Sequence, residues 1–373
     1  MQIEETLFPL LRLGLETEQP SEETLGVVAQ TQGRQWERLK KLADQQGVSA
    51  IVLDGINTLC SVYGQERISA SSGLAKWKQF VIRWTGALLA IEKANLHQQE
   101  VMNALAGRWS AQGCRVMVMK GQANGTFYPR PAHRSPGDID CYLFDGYAQG
   151  NDIARQAGAQ VDESWYKHSV ISYQGETFEN HQFFVHTREG KRSKLLEKEL
   201  EEALNVPEKD FPHFPFPSSL VMPPVQWNAM FLTYHACAHF LSEGLRLKQV
   251  LDWAMFLQKH QDDADWPAFY AFCDRHHLRR FADALTAISV QYLGIRITNP
   301  AITTSSPYAD KILHSALYDD DYVFATGSGW RARWHIVRNL FRYRWKYEDI
   351  YEQSIYRQLW YYATGYLLKT EKQ

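Results

Sequence analysis

The sequence contains few cysteines, and they form no recognisable motif. The 373 residues include five of them, scattered from Cys60 to Cys273 without a Cys-x-x-Cys pair. An odd and scattered set excludes a disulfide framework and a zinc ribbon. Free cysteines are typical of a reducing compartment, so we expect the protein to be cytoplasmic.

Long hydrophobic runs are also missing. The most apolar late stretch, 359–368, is interrupted by Gly365 and is far shorter than the ~20 residues that cross a bilayer. Residues 1–5 include two glutamates instead of the basic residues that precede the apolar part of a secretion signal. These features predict a soluble protein with no membrane partner.

An excess of charge of one sign is lacking as well. The 40 Lys and Arg residues nearly balance the 42 Asp and Glu residues, which excludes a uniformly basic coat for nucleic acid but not a local patch. Hydrophobic residues make up 45% of the chain and charged residues 22%. These values exclude a disordered, collagen-like or coiled-coil chain.

The spacing of apolar residues indicates helices with a small sheet among them. One stripe at helical spacing predicts a long helix with a buried face, and its members are Trp77, Val81, Trp84, Leu88 and Ile91. The pattern changes at Gly113, where the apolar run 116–119 predicts a buried strand. Further strands are indicated at 138–144, 170–173 and 177–185. Helical patterns return after Pro224.

We therefore expect an α+β fold that is mainly helical, with a small mixed sheet flanked by N-terminal and C-terminal helical regions. The predicted boundaries are 1–110 for the N-terminal helical region, 111–210 for the α/β core and 211–373 for the C-terminal helical domain. The last of these begins with the linker 211–217, in which three prolines prevent regular structure.

The strongest chemical signal is Asp138-Ile139-Asp140 at the start of the second predicted strand. Side chains alternate along a strand, so the two aspartates share one face while Ile139 and Cys141 share the other. Two carboxylates this close repel each other unless a cation lies between them. Mg²⁺ prefers oxygen ligands and is often bound by one or two carboxylates together with substrate phosphates. The pattern predicts a divalent metal site.

A glycine turn lies shortly before this strand. Lys120 and Gly121 follow the first strand and precede a short predicted helix that ends by Tyr128. Glycine at such a turn lets a phosphate approach backbone N–H groups, and a lysine adds a point charge. An ordinary turn glycine is the alternative interpretation.

These residues resemble the signature of a known family. Lys120-Gly121, Tyr128-Pro129, Arg134 and Gly137-Asp138-Ile139-Asp140 are similar to the motif of uncharacterised bacterial nucleotidyltransferases within the DNA polymerase beta superfamily. The likeness covers residues 116–184. It implies a nucleotidyltransferase-type sheet, Mg²⁺ or Mn²⁺ as the cofactor and a nucleoside triphosphate as a substrate.

The resemblance implies that three carboxylates hold the metal and carry catalysis. They would be Asp138, Asp140 and Glu179, the last from a later strand. Because strand alternation around Glu179 is irregular, Glu176 and Asp162 remain open as the third acid.

The phosphate-binding residues implied by the resemblance are Lys120 and Gly121. Arg134, in the proline-rich loop before the aspartates, could meet a triphosphate or could pair with a loop carboxylate. His181 shares the face of Glu179 and could orient substrate or a metal-bound water. A purely structural histidine is the alternative.

Two groups in the C-terminal region have ordinary structural explanations. Three potential ligands at four-residue spacing are His235, His239 and Glu243. The HExxH zinc motif is absent there, but His235 could line a cleft beside the sheet. Three basic residues at the same spacing are Arg338, Arg342 and Lys346. With neighbouring aromatics they suit nucleic acid, although a charged flank of a packed helix is the commoner explanation.

The residues and the resemblance together predict a metal-dependent nucleotidyltransferase. It would move a nucleoside monophosphate from a nucleoside triphosphate to an acceptor, which could be a protein, a peptide, a small molecule or RNA. Glu179 would complete the metal site and help to deprotonate the acceptor. The alternative is a degenerate nucleotide-binding or regulatory module. A glycosyltransferase is disfavoured because its larger nucleotide-sugar domain should precede the Asp-x-Asp motif.

Overall fold

Six short strands form one sheet in the described part of the chain, and α-helices precede and follow it. The computed structural model describes residues 3–187, 190–215, 220–319 and 330–360. The strands are β1 (Val116–Val118), β2 (Ile139–Tyr142), β3 (Gln160–Asp162), β4 (His168–Tyr173), β5 (Glu176–His181) and β6 (Leu220–Val221). The predicted fold class, α+β and mainly helical, is confirmed.

The helices fall into three groups according to where they lie in the chain relative to the strands of the sheet. Those before it are α1 (Glu4–Gly14), α2 (Glu22–Ala29), α3 (Arg34–Gln45), α4 (Ser49–Tyr63), α5 (Gln65–Ser71) and α6 (Trp77–Ala111). Those between strands are α7 (Gln122–Gly125), α8 (Tyr147–Gln156) and α9 (Lys191–Glu202). Those after it are α10 (Val225–Ser242), α11 (Leu247–His260), α12 (Trp266–His276), α13 (Arg279–Gln291), α14 (Ala309–Tyr318) and α15 (Trp330–Arg342). None of the helices in the described ranges combines the length and apolar character that a membrane span requires.

The sheet is mixed, with the strand order β3-β4-β5-β2-β1-β6. The central strand β2 runs parallel to β5 and antiparallel to β1. Strands β4 and β5 form an antiparallel hairpin. Gln174 and Gly175 at its turn both have positive φ angles, of 50° and 85°, as a tight hairpin turn requires.

The two faces of the sheet meet different helices. Ile139, Cys141 and Phe178 lie on the face that packs against α6 and α8 in one apolar cluster. Side chains alternate along β2, so Asp140 and Tyr142 lie on the other face, where Asp140 lines a cleft together with His235 of α10. The apolar half of β2 therefore holds the strand in the core while its polar half faces the C-terminal helices.

Helix α6 joins two parts of the core. Near its start, Trp77 contacts Trp36 of α3 with ring centroids 5.0 Å apart. Near its end, Trp109 packs edge-on against Phe178 of β5 at 5.9 Å. Of the predicted stripe on α6, Trp77, Trp84 and Leu88 are buried, while Val81 and Ile91 are partly buried. The helical regions before and after the sheet contribute to one shared apolar cluster.

The proline-rich loop 129–137, between α7 and β2, is tied to the N-terminal helices. His133 lies between two carboxylates, with ring nitrogens 2.6 Å from Asp54 and 2.9 Å from Glu92. The hydrogen bond to Asp54 raises the pKa of His133, against the opposing effect of burial. The side-chain amide of Asn95, on α6, donates hydrogen bonds to two backbone carbonyl oxygens of this loop. These contacts fix the loop that leads into the aspartates.

The predicted basic helix face is interrupted. Helix α15 ends at Arg342, and Lys346 begins a π-helical turn with a fully buried side chain. Its ammonium lies 4.7 Å from the Phe240 ring centroid and 3.3 Å from Asp319. The prediction that Lys346 continues the face of Arg338 and Arg342 is therefore wrong, because the helix does not extend that far.

Candidate active site

The predicted carboxylates meet on one face of the sheet. Asp140 lies inside β2, directly beside Glu179 of β5 in the parallel register, so both side chains leave the same face. Asp138 immediately precedes β2 and is exposed, whereas Asp140 is only 1% exposed. The structure therefore brings Asp138, Asp140 and Glu179 together.

The other two candidates for the third acid do not join Asp140. Glu176, at the start of β5, shares the face of Phe178 and not that of Glu179, and it accepts a hydrogen bond from a glutamine of α6 at 3.1 Å. Asp162 lies in the same cross-strand row as Glu179 but on the edge strand β3, beyond Val170 of β4. Since neighbouring strands are ~4.8 Å apart, two strand spacings separate Asp162 from Glu179. Glu179 is the one of the three that pairs with Asp140.

The Lys-Gly turn lies directly over β2. The Met119 N–H donates to the Asp140 carbonyl at 3.0 Å, and the Lys120 ammonium lies 3.0 Å from Asp140 Oδ1. Gly121 has a φ angle of +62°, and a Cβ at this position would lie 3.5 Å from the Asp138 carbonyl oxygen. Any other residue would be strained here, so glycine is what lets the chain turn so close to the aspartates.

Two histidines lie beside Glu179. His181 Nε2 is 3.1 Å from Asp140 Oδ1 and 3.4 Å from Glu179 Oε2, and its Nδ1 faces the Phe183 carbonyl oxygen at 3.1 Å. His168 pairs with His181 in the register of β4 and β5, and its Nε2 lies 3.7 Å from Glu179 Oε1. The ligand atoms of His168, Glu179 and His181 all lie within 4.8 Å of one another.

Burial and neighbouring charges set the protonation of the carboxylates. Partial desolvation in the cleft raises the pKa of Asp138, although its side chain is exposed, and the Glu179 and Asp140 carboxylates raise it further. Burial would also raise the pKa of Asp140, but the Lys120 ammonium and the His181 hydrogen bond hold it well below its usual value. Burial is also the largest effect on Glu179, but the His181 hydrogen bond, together with the charges of His168 and Lys120, leaves its pKa lowered. Asp140 and Glu179 are thus anionic at neutral pH.

A cleft of about 420 Å³ opens over the aspartates, with α10 and α11 forming its opposite wall. His235 of α10 lines it, as the sequence suggested, and its Nε2 lies 3.2 Å from the Lys120 ammonium. Burial lowers the pKa of His235 well below its usual value, and the Lys120 charge adds to this effect. The neutral ring therefore accepts a hydrogen bond from Lys120.

Sequence reasoning missed two residues of the site, Lys248 and His168. Lys248 of α11 lines the cleft, and its Nζ lies 3.5 Å from where a Cβ of Gly137 would be, next to Asp138. Burial lowers the pKa of Lys248 to about 8, and the Arg134 charge contributes. Neither residue belongs to a spaced motif, so helix packing and strand register alone bring them here.

Arg134 lies at the floor of the cleft in a buried ion pair. Its Nε and one terminal nitrogen each donate to the Asp252 carboxylate of α11 at 2.8 Å. The Tyr128 hydroxyl donates to the same carboxylate at 2.7 Å. Arg134 thus pairs with a carboxylate of α11, and the pair fixes the loop before Asp138 against the C-terminal helices.

Comparison with known proteins agrees with this geometry. The sequence model of a family described as uncharacterised nucleotidyltransferase matches residues 32–294, from just before α3 to just after α13. The matched region contains the sheet, the three carboxylates and both walls of the cleft. Neither the curated proteins nor the solved structures contain a match. Because the family model matches most of the length of the chain, the chain belongs to the uncharacterised nucleotidyltransferase family.

Proposed function

We propose that the protein is a metal-dependent nucleotidyltransferase that uses the catalytic plan of the DNA polymerase beta superfamily. An acceptor oxygen forms a bond to the α-phosphorus of a nucleoside triphosphate. The bond to the bridging oxygen breaks, and pyrophosphate leaves. The single observation that carries the proposal is the parallel register that sets Asp140 beside Glu179, under the Lys120 ammonium.

The carboxylates offer the donor set that Mg²⁺ or Mn²⁺ takes. Asp138, Asp140 and Glu179 supply oxygen ligands on one face, at the mouth of a cleft that can admit phosphate oxygens and water. When bound, the ion would neutralise triphosphate charge and orient the reacting phosphate for in-line attack. The Lys120 ammonium balances part of the negative charge of Asp140.

Cations around the cleft suit the triphosphate. Lys120 follows β1 on one wall and Lys248 lies on α11 at the other, so a polyanion between them would meet positive charge from both sides. Gly121 leaves the turn beside Lys120 without a side chain. Positive groups fixed next to the leaving group stabilise the charge that develops on it.

Glu179 is the candidate base for the acceptor. Its lowered pKa keeps it ionised, and it lies on the same face as the two aspartates. An ionised carboxylate there can take the proton of an acceptor hydroxyl as the new bond to phosphorus forms. The walls formed by α10 and α11 would select the acceptor, whether a protein, a peptide, a small molecule or RNA.

The test is label transfer by the full-length chain. Each of the four nucleoside triphosphates, labelled at the α-phosphate, is incubated with Mg²⁺ or Mn²⁺ and a cell extract as the acceptor source. We expect Asp138→Asn and Asp140→Asn each to lower transfer at least about a hundredfold, since the electrostatic contribution of such a metal site is several kcal/mol. Asp162→Asn is the matched control, because Asp162 lies in the same row on the edge strand, and it should keep full activity.

Thermal unfolding of each variant separates lost chemistry from lost folding, since Asp140 is buried. Full activity in both aspartate variants would show that the metal site is assigned wrongly. Calorimetric binding of nucleotide by the wild-type chain, without metal dependence or turnover, would instead identify a degenerate nucleotide-binding module.

A further inference from the structure

We infer that His168, Glu179 and His181 form a binding site for a divalent transition-metal ion such as Zn²⁺ or Co²⁺. The site shares Glu179 with the proposed transferase centre and otherwise consists of different residues. Its ligands are two imidazole nitrogens and one carboxylate, a mixed nitrogen and oxygen set that Zn²⁺ and Co²⁺ accept and Mg²⁺ does not favour.

The distances fit an ion of this size. Glu179 Oε2 lies 3.4 Å from His181 Nε2, and Glu179 Oε1 lies 3.7 Å from His168 Nε2. For metal–ligand bonds of ~2.1 Å, the edge of a tetrahedron is ~3.4 Å. The two distances involve different oxygens of Glu179, and the three ligand atoms lie within 4.8 Å of one another, so small side-chain rotations would close the set around one ion.

The hydrogen bond of His181 leaves the correct nitrogen for a metal. Nδ1 faces the Phe183 carbonyl oxygen at 3.1 Å, and a carbonyl only accepts, so Nδ1 carries a proton. Nε2 points at oxygens of Asp140 and Glu179, which are also acceptors. Nε2 therefore holds either a second proton, donated to these carboxylates, or a metal ion that replaces that proton. Acceptors that converge in this way need a cation, and a backbone carbonyl on Nδ1 is the usual support of a metal-ligating histidine.

The backbone holds this arrangement in place. Direct pairing of His168 with His181 in the β4–β5 hairpin, and of Val170 with Glu179, puts all three ligands on one face of two hydrogen-bonded strands. His181 is 2% exposed, and the Trp165 ring stacks beside His168 with centroids 6.5 Å apart. Ligands on rigid strands lose little freedom when an ion binds.

The two histidines are not equivalent. A metal on His168 Nε2 would leave the proton on Nδ1, which is buried without a hydrogen-bond partner in the described residues. An unpaired buried donor is unfavourable. We therefore expect His181 to contribute more to metal affinity than His168.

The experiment titrates Co²⁺ and Zn²⁺ into the full-length, metal-stripped chain in excess Mg²⁺. Binding is followed by the visible ligand-field absorption of Co²⁺ and by elemental analysis after removal of free metal. We expect one bound ion per chain. The metal affinity should fall at least about tenfold in His181→Gln, because losing even a residue that only supports a metal ligand costs 10–100-fold in affinity. In His168→Gln the affinity should fall by a smaller factor than in His181→Gln. His239→Gln, a cleft histidine outside the cluster, should bind normally.

Failure of the proposed transition-metal site can be distinguished from failure of the proposed transferase activity. Asp138→Asn should lose nucleotide transfer and keep the Co²⁺ absorption, because Asp138 is not one of the three ligands. Absence of nitrogen-ligated Co²⁺ absorption in the wild-type chain would overturn the inference, since it would show that His181 pairs with the carboxylates as an imidazolium. Equal competition by Mg²⁺, or unchanged affinity in a folded His181→Gln, would overturn it as well.

Discussion

Asp252 of α11 should be a costly carboxylate to remove. Its side chain and that of Arg134 are each 8% exposed. It accepts two hydrogen bonds from Arg134 at 2.8 Å and one from the Tyr128 hydroxyl at 2.7 Å. In Asp252→Ala the guanidinium and the phenol both lose their acceptor inside the protein.

The magnitude follows from the cost of a buried charge without a partner. Removing one member of a buried ion pair costs ~3–5 kcal/mol, and the loss of the acceptor for Tyr128 adds ~1–3 kcal/mol. Water entering from the adjoining cleft offsets part of this sum. We therefore expect Asp252→Ala to lower the free energy of unfolding by about 4 kcal/mol. The double variant Arg134→Met, Asp252→Leu should lose less than Asp252→Ala alone, because no charge is then left buried.

Urea unfolding followed by tryptophan fluorescence measures these differences. Asp44→Ala is the control, since Asp44 forms an exposed pair with Lys40 on α3 and should cost only ~0.3–0.5 kcal/mol. A loss below ~1 kcal/mol in Asp252→Ala would refute the reasoning, because that is the range of surface pairs. So would a double variant Arg134→Met, Asp252→Leu that is as unstable as Asp252→Ala.

Two further predictions concern pH. The pKa of His133 is raised by Asp54 and Glu92, so the stability from this contact is complete below the unfolded pKa of ~6.5 and is lost as pH rises through the folded value. Thermal midpoints of wild type should therefore fall towards those of His133→Gln as the pH rises above about 6.5, and a constant gap between the two would contradict this. Lys248, with a pKa lowered to about 8, should lose its charge as pH rises through that value, so calorimetry with a non-hydrolysable triphosphate should show weaker binding at alkaline pH. Lys248→Met should bind more weakly at neutral pH and lack that part of the pH dependence; if it keeps the same profile as wild type, Lys248 does not contact the phosphates.

Most of the sheet could be predicted because its main strands carry local signals. The apolar run before Lys120 forms β1, and the alternation of Asp138 and Asp140 with apolar neighbours forms β2 and fixes which face is polar. The turn at Gln174-Gly175 marks the hairpin of β4 and β5. Strands β3 and β6, of three and two residues, escaped prediction because they are too short to show a period and, unlike β1, do not form a continuous run of several apolar residues. The proposed domain boundaries at 110 and 210 stay a prediction.

By itself, the sequence determined the pair Asp138 and Asp140, the Lys-Gly turn beside them and the likeness to nucleotidyltransferases, because each depends on residues close together in the chain. Only the tertiary structure decided which later acid joins them. The register of β5 on β2 aligned Glu179 with Asp140 and brought His168 opposite His181. The packing of helix α11 also decided that Arg134 pairs with a carboxylate 118 residues away and that a lysine of α11 lines the cleft. Strand register and helix packing are set by the burial of the whole apolar core, which no short segment of sequence specifies.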